Sequence, residues 1–253
     1  MSDVVRSAAR VLDLLEFFSA SRSSYTLGEI AGRFSLPKSS ALGLLRTLCS
    51  RGYVVRDEQG QYTLNAYFRQ HGFGWGGDTL ARLVAIAAPM MAEMAAELGE
   101  TVSLGSLQDS GHLKILEQAL SHQPIRYETT PGQLFPVYCT AIGRVLLAHS
   151  TPQRRDEMLA RHPREAITPY TLTALADIHA KIAQAAQDGY SVVEEEAERG
   201  GTGLAMAILD KDGQPLAALN VAFISARFAD KREQAVQALR QRVAVIQAAL
   251  GEG

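Results

Sequence analysis

The chain is poor in the residues that build sites out of sulfur or metal. Its 253 residues include two cysteines, Cys49 and Cys139. Neither stands in a C-x-x-C or a Cys/His ligand spacing, so neither a disulfide framework nor a zinc site has support. The six histidines (His71, His112, His122, His149, His162 and His179) form no H-x-x-x-H or H-E-x-x-H pattern, and no metal or other cofactor is expected. No run approaches the roughly 18 apolar residues of a membrane span. The opening Met1-Ser2-Asp3-Val4-Val5-Arg6 has no apolar signal core, so the expected location is the cytoplasm, with no membrane partner. Internal repeats and low-complexity tracts are missing as well.

Strong net charge is also lacking, at −2, which excludes a protein coated in nucleic acid. The charge is unevenly placed, however. Residues 1–75 carry nine Lys/Arg against six Asp/Glu, whereas the rest carries sixteen against twenty-one. A mildly basic head on an acidic body fits a module that meets phosphate through one face. The length allows one or two domains, each with a core.

What is present in the head is a periodic pattern. Leu27, Ile30, Ala31 and Phe34 recur at helical spacing. After Ser35-Leu36-Pro37 the spacing returns in Ala41, Leu44, Leu45 and Leu48. Pro37 suits the first turn of the second helix and Gly52 a left-handed stop after it. Tyr53–Arg56 and Gln61–Leu64 then flank the turn Asp57-Glu58-Gln59-Gly60, predicting a hairpin. An earlier helix, with Val4, Ala8, Val11, Leu15 and Phe18 on one stripe, supplies the third wall of a small core. Helix, turn, helix and wing in that order predict a winged helix-turn-helix. Opposite the buried stripe, Ser39, Gly43, Arg46 and Ser50 form the face that would enter a major groove. Lys38, Ser40 and Thr47 stand beside it, and Arg56 on the wing. The plain alternative is a solvated helix face; the order of the elements favours DNA.

Gly72-Phe73-Gly74-Trp75-Gly76-Gly77 is too glycine-rich for a helix interior and marks a boundary. A stripe restarts at Leu80, Leu83, Val84 and Ala87, halts before Pro89 and resumes over Met90–Leu98. The expected organisation is a DNA-binding domain over 1–75, a linker helix region over 76–99 and a second domain over 100–253. In the second domain Thr101–Leu107, Leu113–Gln118 and Ile125–Glu128 read as strands, and Thr140–His149, Pro152–His162 and Leu172–Asp188 as helices. Strands return at Tyr190–Val193, Leu204–Leu209 and Pro215–Phe223, the last two joined by a hairpin turn at Asp210–Gln214. A helix over Ala229–Leu250 closes the chain. The expected class is α+β: a mostly antiparallel sheet packed with helices.

The segment Leu36–Leu48 with Gly52-Tyr53-Val54 resembles the recognition helix and wing of the IclR family of transcriptional regulators. Phe135-Pro136-Val137-Tyr138-Cys139-Thr140-Ala141-Ile142-Gly143-Arg144-Val145-Leu146-Leu147-Ala148 resembles the signature of that family's effector domain. Further likeness runs through Asp188-Gly189-Tyr190, Glu194-Glu195-Glu196 and Asp212–Val221. The resemblance implies a GAF-like sensor domain, a palindromic DNA operator, a small organic acid as effector, and a homodimer paired through the head or a tetramer built as a dimer of dimers. It also implies that the backbone at Ala141 and Ile142 holds the effector's carboxylate, facing a shelf of Gly203, Leu204, Asn220 and Ala222.

The residues give their own reason for a carboxylate there. Thr140 suits an N-cap, and the amides of Ala141, Ile142 and Gly143 would lie unpaired in the first turn, where anions are favoured. Val193 and Gly203 replace an acidic residue and a cysteine common in relatives, so the pocket should be less polar and roomier. Tyr138, after Leu134 and Phe135, favours an aromatic or larger aliphatic acid. Leu42 and Gly43 replace a longer polar pair on the recognition helix. Glu194-Glu195-Glu196 reads as a solvated strand end. Cys139 and His149 are too far apart along a helix to share a proton, so Cys139 reads as a buried filler and no catalytic residue is expected. A ligand-responsive regulator leads. The alternatives are an enzyme with an accessory DNA-binding head and a binder that ignores small molecules.

Overall fold

Leu14, Leu15 and Phe18 press helix α1 (Arg6–Ala20) against α2 (Leu27–Arg33) and α3 (Lys38–Ser50), and the hairpin of β1 (Val54–Arg56) and β2 (Tyr62–Leu64) closes the same core. The structure, a computed structural model, describes residues 5–21, 23–66, 68 and 79–251. It divides into two units at Ile86/Ala87. In the first, Ile30, Leu45, Leu48, Val54, Tyr62 and Leu64 are all buried, as the apolar spacing requires. Helix α2 opens with a capping box: Thr26 accepts from the Glu29 amide while the Glu29 carboxylate accepts from the Thr26 amide. The turn into α3 places Ser35 in left-handed backbone at φ 50°. Pro37 is the N-cap of α3, one residue ahead of the first-turn position expected for it. Gly52 takes φ 75°, and a Cβ there would stand 2.9 Å from the Ile86 side chain.

The glycine-rich boundary expected at Gly72–Gly77 lies outside the described residues. The halt expected at Pro89 does not occur: α4 runs unbroken from Thr79 to Leu98 with Pro89 inside it. Proline deprives the carbonyl four residues back of its donor. That carbonyl belongs to Ala85, and it accepts instead from the buried side-chain amide of Asn65 at 2.7 Å. Asn65 also donates to the Gly52 carbonyl at 2.9 Å. One buried side chain therefore replaces the missing helical bond.

The second unit holds β3 (Thr101–Leu107), β4 (His112–Ala119), β5 (Leu134–Pro136), α5 (Ala141–Ala148), α6 (Pro152–Ala160) and α7 (Leu175–Asp188). After these come β6 (Ser191–Glu194), β7 (Gly201–Leu209), β8 (Pro215–Ile224), a short 3-10 turn and α8 (Phe228–Gly251). The six strands lie in the order β5-β4-β3-β8-β7-β6, every pair antiparallel. The strand expected over Ile125–Glu128 is absent, and the sheet edge is formed by Leu134–Pro136 instead. Ile125 is exposed, and the segment after it is tied down by side chains: Thr101 donates to the Tyr127 carbonyl, and Gln118 bonds both the side chain and the amide of Thr129.

Strand alternation sorts the sheet into two faces. On one, the small residues Ala205, Ala207 and Ala218 share a core with Ile142, Val145 and Leu146 of α5 and Ile178 and Ile182 of α7. Their size lets α5 lie close to the sheet. The opposite parity, including Leu204, Leu219, Val221 and Phe223, faces away from α5, and Phe223 meets Phe228 of α8 with ring centroids 5.3 Å apart. Glu100, fully buried, ties α8 to the sheet by accepting from Arg227 at 2.6 and 2.7 Å and from Lys231 at 2.9 Å. Burial pushes its carboxyl up, but those hydrogen bonds and the two cations outweigh it and hold it below the usual range.

Candidate functional site

Two surfaces carry the residues singled out from the sequence. On the first unit, Ala41, Leu45 and Leu48 of α3 are buried, which turns Lys38, Ser39, Ser40, Gly43, Arg46, Thr47 and Ser50 outward, all of them exposed. The Thr47 hydroxyl donates to the Gly43 carbonyl and that of Ser50 to the Thr47 carbonyl, both at 3.0 Å. Each keeps its lone pairs for an outside donor. A Cβ at Gly43 would meet nothing within 4 Å, so the fold gives no reason for glycine there. Arg56, exposed on the wing, lies over the Tyr62 ring at 5.6 Å, a placement that holds the guanidinium without consuming its hydrogen bonds.

The second surface is a cavity between α5 and the sheet, with about 580 Å³ of empty space, part of it continuous with solvent. Thr140, Ala141, Ile142, Val193, Gly203, Asn220 and Ala222 all line it, as does Phe135. Two expected members do not. Leu204 is fully buried on the opposite face of β7, because neighbouring strand residues point to opposite sides. Tyr138 faces away from the cavity and donates its hydroxyl to the Glu165 carbonyl at 2.7 Å, so it says nothing about effector size. Leu134 is half exposed outside the lining.

At the cavity wall, the Thr140 hydroxyl donates to the Pro136 carbonyl and accepts from the Gly143 amide at 3.2 Å. The Gly143 amide, expected to be open, is therefore satisfied. Among the described residues no group accepts from the amides of Ala141 and Ile142. Two donors at a helix start, backed by the helix dipole, favour an anion. Gly203 keeps the space above them clear: a Cβ there would lie 3.1 Å from both the Ala141 Cβ and Asn220 Oδ1, and 4.0 Å from the Ala141 nitrogen. The turn itself depends on Gly143, where a Cβ would run into the Val137 carbonyl.

Beneath this wall lies an ion pair that contradicts one expectation. Glu196 is not a solvated strand end. It is buried and takes both terminal nitrogens of the fully buried Arg144 at 2.6 Å. Arg144 Nε donates to the Tyr138 carbonyl, and the Leu172 amide donates to Glu196. The pair ties α5 to the segment after β6, and every charged atom in it has a partner, as burial demands. Glu194 alone of the three acids is exposed. Cys139 is buried beside the pair, where burial and the Glu196 charge push its thiol up to about 12.

Family models identify the parts. Residues 7–58 match the IclR helix-turn-helix domain and residues 79–248 match the C-terminal domain of the bacterial transcriptional regulator IclR. The chain belongs to the IclR family. It is 31% identical to the Pca regulon regulatory protein of Pseudomonas putida, over 87% of this chain and 74% of that protein. It is also 31% identical to the transcriptional repressor IclR of Escherichia coli (strain K12), over 90% of this chain and 83% of that one. A crystal structure of an IclR homologue from Microbacterium hydrocarbonoxydans, complexed with 4-hydroxybenzoate, matches with a TM-score of 0.63 and 27% identity, covering 96% of this chain and 98% of that one. This IclR-family member is thus a DNA-binding transcriptional regulator. Among the described residues no helix is long and apolar enough to cross a membrane.

Sequence reasoning missed Arg144 and Glu196, and also Tyr127 and Glu198, which line the cavity from two connecting segments. Arg144 had a usable signal: an arginine one turn into a helix whose other positions are apolar must either interrupt the core or be paired within it. Tyr127 and Glu198 had none, since nothing in their spacing brings a residue after β4 to one before β7.

Proposed function

We propose that this IclR-family regulator changes its affinity for a palindromic operator when a small carboxylic acid enters the cavity. The observation that carries this reading is the pair of open amides at Ala141 and Ile142, on the wall of a cavity whose other lining groups, Glu198 apart, are apolar or neutral polar. The acid's carboxylate lies on those amides, below Gly203, with Val193, Asn220 and Ala222 around it. On the DNA side, α3 enters the major groove with Ser39, Gly43, Arg46 and Ser50 toward base edges. Lys38, Ser40, Thr47 and Arg56 meet the backbone. A homodimer, or a dimer of dimers, matches the two half-sites. A tenfold change in operator affinity requires the acid to prefer one arrangement of the protein by about 1.4 kcal/mol.

The complex of the Microbacterium homologue with 4-hydroxybenzoate supports an organic acid as the class of effector. A regulator rather than an enzyme is also the better reading of Cys139, whose thiol stays protonated and is a poor nucleophile. The test is a thermal-shift screen of aliphatic and aromatic carboxylates, because a ligand of the folded state alone raises the melting temperature with its concentration over Kd. Ile142→Trp, or Gly203→Val should the first fail to fold, is expected to abolish the shift while operator binding persists. A shift that survives both places the ligand elsewhere.

A further inference from the structure

The end of the cavity lined by Tyr127 and Glu198 is one-sided in its chemistry. The segment between β4 and β5 is held at the Tyr127 carbonyl and at Thr129 by the bonds from Thr101 and Gln118. This lays the Tyr127 ring on β7 at Gly201, where a Cβ would stand 3.1 Å from the ring. Across from it is Glu198, exposed to solvent and lining the same cavity. Burial pushes the Tyr127 phenol up, and the nearby Glu198 charge pushes it further, to about 12. The phenol therefore stays protonated, and the oxygens that Glu198 brings to the cavity wall are acceptors.

Deeper in, the same imbalance holds. The side-chain nitrogen of Asn220, a residue only 7% exposed, donates to Ser103 Oγ at 3.1 Å. Its oxygen is left over Gly203, with no donor among the described residues. Among the described residues no lysine, arginine or histidine lines the cavity, and Glu198 is the one formally charged group in its lining. A second carboxylate on a ligand would find no cation at this end and would face Glu198. A hydroxyl or other donor would find acceptors.

We propose that the Tyr127–Glu198 end of the cavity selects monocarboxylic acids that carry a hydrogen-bond donor, a hydroxyl above all, and rejects dicarboxylic acids. This rests on the reading of the α5 terminus as the site of the first carboxylate. It assigns to Glu198 a discriminating role.

The test uses the full chain and two matched sets of probes in calorimetric titrations: 4-hydroxybenzoate, benzoate and terephthalate, and 4-hydroxybutyrate, butyrate and succinate. In the set that fits, the hydroxy acid is expected to bind most tightly and the dicarboxylate least. The separation should be roughly tenfold, limited by solvent screening of Glu198 at the mouth. In Glu198→Gln, an exposed and isosteric change, the dicarboxylate should recover to within about threefold of the hydroxy acid. The melting temperature of the ligand-free variant checks that it is folded. Equal binding of hydroxy acid and dicarboxylate by the unaltered protein, or a gap that Glu198→Gln leaves intact, overturns this proposal and leaves the carboxylate site standing. Failure of all six probes to bind overturns both.

Discussion

Helices α3 and α5 both carry a glycine in a short amphipathic or apolar sequence, yet they are used in opposite ways. In α3 three residues are buried and the rest form an outward polar face. In α5 seven consecutive residues, Ala141–Leu147, are buried and what is left open is the first turn. A helix that meets its partner sideways must keep a periodic polar stripe. A helix that offers its end can bury every side, provided that its polar members are paired internally, as Arg144 is. The two glycines follow suit, since a Cβ at Gly143 would strike the Val137 carbonyl while one at Gly43 would meet nothing.

Four changes would break or sharpen this contrast. The largest effect is expected from Glu196→Ala, which strands the buried Arg144. Urea unfolding followed by circular dichroism should show a loss of about 3–5 kcal/mol, and Arg144→Met with Glu196→Leu should recover most of it. A loss under about 1 kcal/mol would mean that the pair does not hold α5 in place. Next comes Gly143→Ala, which should destabilise the same unit by about 1–3 kcal/mol through overpacking, read by the same unfolding curve.

Arg46→Ala acts on the other helix, where stability should hardly move. Fluorescence anisotropy should show operator binding weakened by about 1–3 kcal/mol, with a smaller loss on unrelated DNA. Equal losses on the two would reduce Arg46 to a phosphate contact. The smallest effect belongs to Gly43→Ala, expected to stabilise α3 by about 1 kcal/mol and raise the melting temperature slightly. Reduced operator affinity in that variant would show that the bare backbone at Gly43 approaches the DNA closely.

The head was readable because its signals are local. Leu27 to Leu48 repeats at helical spacing, and Gly52 and Gly60 sit where the chain turns. Thr26 and Glu29 even spell a capping box, a three-residue spacing that predicts the start of α2. The body was readable in its longer strands and in Thr140, whose cap is again local. It failed at Ile125–Glu128, where β-prone residues are held by side chains from β3 and β4 instead of by a ladder. It failed at Pro89, because the donor that rescues the helix lies more than twenty residues earlier, at Asn65. Tyr138 was misplaced because which side of the chain faces a cavity before a helix start is set by the packing around Glu165, not by any period.

The order of elements, the outward face of α3 and the capped start of α5 follow from the sequence alone, because each depends on residues within about one or two turns of one another. Only the tertiary structure decided that Glu196 is buried against Arg144, that Asn65 completes the helix through Pro89, and that Tyr127 and Glu198 line one cavity. Those pairings join residues dozens of positions apart. A buried charge or open carbonyl dictates that some partner must exist, but the folded chain alone selects which one.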